Sequence, residues 1–279
     1  MKKISRRSFL AAAGLSVAAL ALTACGGSSS SVASSVASSA ASSEAASTSA
    51  AAGELTTVEA GKLTMATNAT FPPYEMTTDA GDIEGIDVET AQAIADKLGL
   101  ELQIDDMDFD AALLSVQQGK ADIVMAGVTV TDERKAVMDF SDSYATGIQS
   151  IIVPEGSDIA SPDDLAGKKI GTQRGTTGYI YCSDDFGDDA VVAYDNGLTA
   201  VQALNNGQVD AVVIDNAPAK EYVAANPGLA ILDTSYAEED YAIGMAKGSS
   251  LEAAVNAALE ELKADGTLQS IVDKYITAE

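Results

Sequence analysis

The sequence contains no histidine and no tryptophan among its 279 residues. Without an imidazole, the chain cannot activate a serine or cysteine through histidine, and it cannot build a histidine metal site. We therefore expect no metal ion and no cofactor. The remaining chemistry is that of carboxylates, amides, hydroxyls and guanidinium groups.

Cysteine is almost as scarce, with Cys25 and Cys182 as the two examples. If Cys25 carries a lipid, as argued below, Cys182 has no partner, and no disulfide framework is expected. We interpret Cys182 as a small apolar side chain of the core rather than a reactive thiol.

Basic residues are few as well: 16 lysines and arginines stand against 42 aspartates and glutamates, for a formal net charge of −26. Such a charge repels the phosphates of nucleic acids and anionic lipid headgroups. Nucleic acid is therefore not expected as a partner, and membrane association has to come from an anchor.

Residues 1–24 are predicted to be a lipoprotein signal peptide rather than part of the fold. A basic front at 2–7 precedes an apolar run at 9–22 that is short for a membrane span. Leu22-Thr-Ala-Cys25 resembles a bacterial lipobox, which implies cleavage before Cys25 and diacylglycerol on its sulfur. The mature protein would then be anchored at the outer face of the cell membrane.

The export route stays open, because residues 5–10 also resemble a twin-arginine signal while Ala11 stands where a lysine is often found. After Cys25, residues 26–53 contain 12 serines and 9 alanines in 28 positions. This composition cannot bury a core, and we interpret the segment as a flexible tether reaching ~30 Å.

Residues 54–279 alternate between strand and helix patterns. Residues 62–66 and 122–125 are short apolar runs typical of buried strands, whereas 87–98 and 250–265 carry apolar residues at helical spacing. This alternation predicts an α/β fold with parallel sheets.

One pattern occurs twice: residues 116–126 and 204–214 each combine a helix end, a glycine and a strand that begins with aspartate. The repeat places Gly127 at the position of Asp215. Two lobes of similar build would each present a strand end, where open α/β sheets bind ligands. Chance recurrence of common turn chemistry is the alternative.

Residues 126–134 join a buried strand to a helix start, with Arg134 just inside the helix. Helix-entry amides attract an anion, and a guanidinium matches the geometry of a carboxylate. Asp215 ends another strand and is suited to hold an ammonium group, or else to cap a helix. Together these features predict a site for a free amino acid rather than an enzyme active site.

Short motifs follow one another along residues 60–277: Ala66-Thr-Asn-Ala-Thr-Phe-Pro-Pro-Tyr-Glu75, Gly85-Ile-Asp-Val-Glu89, the 126–134 loop, Asp139-Phe-Ser141, Gly175-Thr-Thr177, Val209-Asp-Ala-Val-Val-Ile-Asp215 and Asp265-Gly-Thr267. In this order they are similar to the polar amino-acid family of solute-binding proteins that supply ABC importers.

The resemblance implies a periplasmic-binding-protein-like fold of type II, with two α/β lobes joined by two crossing hinge strands. Lobe 1 would comprise residues 54–144 and 243–279, lobe 2 residues 149–238, and the hinge residues 144–148 and 239–243. It also implies a monomer that closes over one amino acid and then meets the transmembrane subunits of an ABC permease.

The resemblance also implies ligand-binding roles for residues of both lobes. The resemblance assigns the ligand's α-carboxylate to Arg134 and its ammonium group to Asp215. Its other matching positions are Phe71, Phe109, Ala126, Gly127, Thr129, Thr176 and Thr177. A surface arginine, helix caps, a tight turn and core aromatics are the corresponding alternatives.

Asn68 and Gln173 are used to predict the chemical kind of side chain that the ligand carries. Asn68 stands where relatives that select basic or amide side chains often have aspartate, and a neutral amide favours an uncharged polar ligand such as glutamine. Arg174 would instead favour an acidic ligand if it pointed inward. Two other function classes are a ligand-sensing module and a dehydratase-like enzyme using Glu75 or Asp110.

Overall fold

The computed structural model describes residues 55–276. The predictions for the signal peptide, Cys25 and the tether therefore lie outside the described residues. No helix in the described range is long and apolar enough to cross a membrane. The helices are α1 (Ile86–Leu98), α2 (Phe109–Gln117), α3 (Asp132–Val137), α4 (Thr177–Phe186), α5 (Gly197–Asn205), α6 (Asn216–Ala225), α7 (Glu252–Ala264) and α8 (Thr267–Tyr275).

The first lobe is built on a five-stranded sheet. In spatial order its strands are β5 (Glu101–Asp106), β1 (Lys62–Thr67), β6 (Ile123–Val124), β14 (Gly244–Ala246) and β7 (Met138–Phe140). Strand β1 runs parallel to β5 and β6, whereas β14 runs antiparallel to its neighbours. A small antiparallel sheet is formed by β2 (Thr70–Phe71), β3 (Glu75–Thr77) and β4 (Ile83–Glu84).

The second lobe is built on a six-stranded sheet. Its strands are β10 (Val191–Tyr194), β9 (Ile170–Gln173), β11 (Ala211–Asp215), β8 (Ala145–Pro154) and β12 (Leu229–Ile231) in spatial order, with β13 (Ala237–Tyr241) paired to β8. Strand β9 is parallel to β10 and β11, but β8 is antiparallel to its partners.

The prediction of parallel sheets is therefore wrong: both sheets are mixed. The reason is the route of the chain between the lobes. Strand β8 enters the second lobe, and β13 leaves it alongside β8 in antiparallel register, from Ala237 opposite Gln149 to Tyr241 opposite Ala145. The predicted hinge ranges fall at the ends of these two strands that face the first lobe. The lobe boundaries themselves stay a prediction.

The repeated pattern forms the same structure in both lobes. Helix α2 leads into β6, which pairs with β1, and helix α5 leads into β11, which pairs with β9 in the same parallel sense. The leading aspartates are also used alike: Asp122 accepts the Thr64 amide at 2.8 Å, and Asp210 accepts the Lys169 amide at 2.7 Å. Residues that follow β6 and β11 consequently lie at equivalent edges of the two sheets.

Gly85, directly before α1, is packed closely against the backbone of Tyr74. Its φ is +139°, and a Cβ there would lie 2.1 Å from the Tyr74 carbonyl oxygen. Gly81 also has a positive φ, +89°, but open space around it. We expect Gly85→Ala to lower the free energy of unfolding by roughly 3 kcal/mol, and Gly81→Ala by about 1–2 kcal/mol. Urea unfolding measures both, and equal losses would contradict the steric argument.

Candidate functional site

A narrow cavity lies between the two lobes, and the volume open to the centre of a water-sized sphere is only about 10 Å³. This is far below the ~300–1,000 Å³ typical of small-molecule sites, so the lobes are closed on an almost filled space. The wall consists of Asn68, Phe71, Glu75, Phe109, Ala126, Gly127, Thr129, Arg134, Gln173, Thr176, Thr177 and Asp215. All eleven residues predicted to bind ligand are brought together here, and Glu75 is an additional member. Their binding roles stay predictions.

Arg134 lies in the first turn of α3, where the Thr131 side chain accepts the Arg134 amide and caps the helix. Its guanidinium is buried, donates through Nη1 to the Thr129 carbonyl at 2.8 Å, and stacks over the Phe109 ring at 5.4 Å. Nη2 donates across the cavity to the Gly175 carbonyl at 3.1 Å. The fork is thus fixed in direction, and the bond to Gly175 is one that a ligand carboxylate can replace.

Asp215 is the last residue of β11 and precedes α6, but its side chain makes no cap hydrogen bond. Instead, its Oδ1 accepts the Tyr241 hydroxyl and its Oδ2 accepts Gln149 Nε2 at 2.9 Å. Burial, followed by the negative charge of Glu239, raises the pKa of Asp215 to about 7. A ligand's ammonium group would favour the ionised form of this carboxyl.

Two polar residues of strands β8 and β13 lie beside Asp215, and neither was predicted from the sequence to take part in the site. Gln149 on β8 donates from one nitrogen to Asp215 and, at 3.1 Å, to Glu239 on β13. Glu239 also accepts the Thr129 hydroxyl at 3.0 Å. Strands β8 and β13 therefore contact wall residues from both lobes, and this network connects the cavity to the strands that carry the predicted hinge.

Glu75 is fully buried in the small sheet, on the opposite strand from Phe71. No donor among residues 55–276 reaches either carboxyl oxygen in hydrogen-bonding geometry. Burial, and then the neighbouring charge of Asp87, raises the pKa of Glu75 well above its usual range. Asp87 has partners of its own, the Tyr144 hydroxyl at 2.6 Å and the Gly127 amide at 3.0 Å. Protonated Glu75 donates a hydrogen bond to Asp87, so the wall contains a buried acid that shares its proton with a second carboxylate.

Asn68 and Gln173 meet across the cavity, where Gln173 Nε2 donates to Asn68 Oδ1 at 3.0 Å. Asn68 Nδ2 is also engaged, with the Met107 carbonyl at 2.9 Å. By contrast, Gln173 Oε1 is buried and has no donor within the described part of the chain. Each amide nitrogen uses one of its two hydrogens in these bonds, so this end of the cavity offers one free acceptor and two further amide hydrogens.

Thr176 and Thr177 stand at the start of α4. The Thr176 hydroxyl caps the helix by accepting the Tyr179 amide at 3.3 Å, so its predicted cap role is observed together with its place in the wall. Phe71 lies against Gly127, where a Cβ would approach its ring to 2.8 Å. Residue 127 must therefore be small for the first lobe to keep this aromatic wall.

Three other residues considered in the sequence lie outside the cavity. The Arg174 side chain is 57% exposed and donates to the Ala193 carbonyl at 3.3 Å, so the condition for an acidic ligand is not met. Tyr74 is buried with its ring edge against Tyr241, outside the cavity wall. Asp110 lies on α2 and is not part of the wall.

The profile of bacterial extracellular solute-binding proteins, family 3, matches residues 63–278. The chain is 34% identical over 278 residues to a probable histidine-binding protein of Neisseria gonorrhoeae, covering 96% of this chain and 95% of the relative. It is 34% identical over 226 residues to the L-cystine-binding protein TcyJ of Escherichia coli K12, covering 79% and 85%. A solved ancestral arginine-binding protein bound to glutamine superposes with a TM-score of 0.75 at 43% identity, covering 78% and 99%.

Proposed function

Because the chain belongs to family 3 of the bacterial extracellular solute-binding proteins, we propose that it closes over one free L-amino acid and delivers it to the transmembrane subunits of an ABC importer. The family and its relatives are binding proteins of transport systems, not enzymes, which excludes the dehydratase-like alternative. The predicted two-lobe fold of type II is confirmed by the structural relatives.

The observation that carries this proposal is the pairing of Arg134 and Asp215 in one cavity. The guanidinium and the ionised carboxylate have opposite charges, which match the two charged ends of a zwitterion. They also come from different lobes. An α-carboxylate would replace the Gly175 carbonyl on Arg134, and an ammonium group would add a donor to Asp215. The free amino acid thereby satisfies both lobes at once.

Closure follows from this division of the contacts. In an open state the first lobe would hold the carboxylate through Arg134, with the Thr129 backbone and hydroxyl beside it. The second lobe would then add Asp215 and the helix start at Thr177. Since the second set of contacts exists only when the lobes meet, the ligand stabilises the closed form alone. The permease would recognise that form.

For the side chain of the ligand, the sequence favours an uncharged polar group such as glutamine, on the strength of Asn68 and Gln173. A solved relative that binds arginine also binds glutamine, which supports this choice. Glutamine would donate its amide hydrogens to the free Gln173 oxygen. Its carbonyl oxygen, however, needs a donor at the same end of the cavity.

The geometry favours a second candidate, a basic amino acid such as arginine. A cationic side chain would place its donors against the buried carboxyl of Glu75 and the unpartnered oxygen of Gln173, and a guanidinium carries donors only. Asn68 and Gln173 each keep one amide hydrogen for glutamine's carbonyl, so the buried acid in the wall is what favours the basic ligand. A cation would also let Glu75 ionise despite its burial.

Isothermal titration of the purified chain with glutamine, arginine and the other amino acids tests the function and separates the candidates. Saturable binding of at least one amino acid with a Kd in the micromolar range or below, about −8 kcal/mol or stronger, is expected. Absence of binding by all twenty would refute the proposal. Tighter binding of arginine than of glutamine would support the second candidate.

Replacing Glu75 with glutamine is expected to weaken arginine binding by at least roughly thirtyfold, because a cation loses a buried counter-charge worth ~2–5 kcal/mol. Glutamine affinity should change by less than about threefold. Glu84→Gln, an exposed acid in the same small sheet, is the matched control and should change neither affinity. An equal loss for both ligands would assign Glu75 a structural role.

The anchoring of the protein also belongs to the proposal. Family membership supports an extracellular site of action, and the lipobox-like Leu22-Thr-Ala-Cys25 supports a diacylglycerol anchor on Cys25. With residues 26–53 as a tether, the binding domain would remain near the permease while it rotates freely. A monomer suffices for this role.

A further inference from the structure

The lobes are joined by hydrogen bonds both inside and outside the cavity. Inside it, Arg134 donates to the Gly175 carbonyl and Gln173 donates to Asn68. A ligand competes for these groups or rearranges them. Outside it, the Tyr222 hydroxyl on α6 of the second lobe donates to the Thr70 carbonyl on β2 of the first lobe at 2.5 Å. A ligand in the cavity leaves that bond in place.

Tyr222 is held ready for this contact by the second lobe. Its side chain is 6% exposed. A Cβ at Gly197 on α5 would lie 3.0 Å from the Tyr222 ring and 2.4 Å from Ile214 Cδ1, so the missing side chain there leaves room for the ring. Buried hydroxyls require a partner, and Thr70 supplies it only when the lobes are closed.

The two ends of the Tyr222–Thr70 bond are covalently close to the cavity. Helix α6 begins directly after Asp215 and carries Tyr222 two turns later, so the predicted ammonium partner and the tyrosine move as one rigid element. Thr70 immediately precedes Phe71, which lines the cavity. Movement of Asp215 toward a ligand therefore brings the tyrosine to its acceptor.

We propose that Tyr222 is a positioning residue that stabilises the closed lobes through the Thr70 carbonyl and so increases the affinity for every ligand by the same factor. The inference rests on the proposed function in one respect, since affinity is read through amino-acid binding. The apparent Kd of a site that binds in the closed state varies inversely with the closed fraction, and Tyr222 is not among the residues that line the cavity.

The test is Tyr222→Phe, which keeps the ring and removes the hydroxyl, titrated with arginine and with glutamine. We expect both Kd values to rise by the same factor, about threefold to tenfold, for the loss of one hydrogen bond. Tyr236→Phe is the matched control, because the Tyr236 hydroxyl donates to Asp185 at 2.6 Å within the second lobe. Its Kd values should stay at the wild-type level.

A second measurement does not depend on the ligand. Small-angle X-ray scattering of the ligand-free chain should give a larger radius of gyration for Tyr222→Phe than for the wild type. If neither amino acid binds the wild type, the function fails and scattering alone decides on the tyrosine. Unchanged Kd values, a changed arginine-to-glutamine ratio, or, without binding, equal radii of gyration would each overturn the proposal.

Discussion

Replacing Arg134 with alanine is expected to weaken amino-acid binding by roughly thirtyfold to several thousandfold, corresponding to ~2–5 kcal/mol. The guanidinium is buried, lies over Phe109 and is oriented by the Thr129 carbonyl. A ligand carboxylate that enters the cavity gives up its water and would have no other cation in the wall to compensate. Isothermal titration with the tightest-binding amino acid measures the loss.

Two further variants separate the role of the guanidinium from that of charge and folding. Arg134→Lys keeps the charge but lacks the planar fork that donates two parallel bonds to a carboxylate, so an intermediate loss is expected. Arg174→Ala removes an exposed arginine of the second lobe and should leave affinity at the wild-type level. Unchanged affinity in a folded Arg134→Ala protein would contradict the assigned role of this residue.

The sequence predicts the helices best where local spacing determines burial. Helix α1 was predicted at 87–98 and is observed at Ile86–Leu98, because its apolar residues repeat at helical spacing and Gly99 follows directly. The direction of the strands was not predictable in the same way. Whether β8 and β13 run antiparallel depends on how the chain crosses between lobes, and no local pattern encodes that route.

The same distinction applies to the cavity. Arg134 and Asp215 could be predicted because Arg134 comes after a buried strand and Asp215 ends one, and α/β proteins bind ligands at such strand ends. Glu75, Gln149 and Glu239 were not assigned a ligand-binding role, since a polar residue in an antiparallel strand ordinarily has a face of the sheet open to water. All three are buried, in strands whose pairing brings together distant segments of the chain.

Replacing Asp215 with asparagine is expected to weaken binding by at least roughly thirtyfold at about pH 8, because the ammonium group loses its counter-charge. The free energy of unfolding should not fall and is expected to rise, since the variant removes a buried negative charge beside that of Glu239. The melting temperature should therefore equal or exceed that of the wild type. Asp210→Asn is the control: Asp210 is exposed, directly precedes β11, and its variant should keep full affinity.

The pH dependence gives the most specific signature of Asp215. In the closed, ligand-free structure burial raises its pKa to about 7, so below that pH the carboxyl carries a proton that the ligand's ammonium must displace. Affinity should then be flat above about pH 7 and fall toward tenfold per unit below it. The proton is held more tightly in the folded chain than in the unfolded one, so this group's contribution to stability instead improves as pH falls.

The asparagine variant makes the assignment decisive, because it has no proton to exchange at this position. Titrations between about pH 5.5 and 8.5 should show a smaller fall in affinity for Asp215→Asn than for the wild type, and any slope left in the variant reports on Glu75 and Asp87. Identical profiles in the two proteins would mean that Asp215 does not receive the ammonium group. The opposite signs of the pH effects on affinity and on stability also exclude acid unfolding as the cause, since unfolding would lower both together.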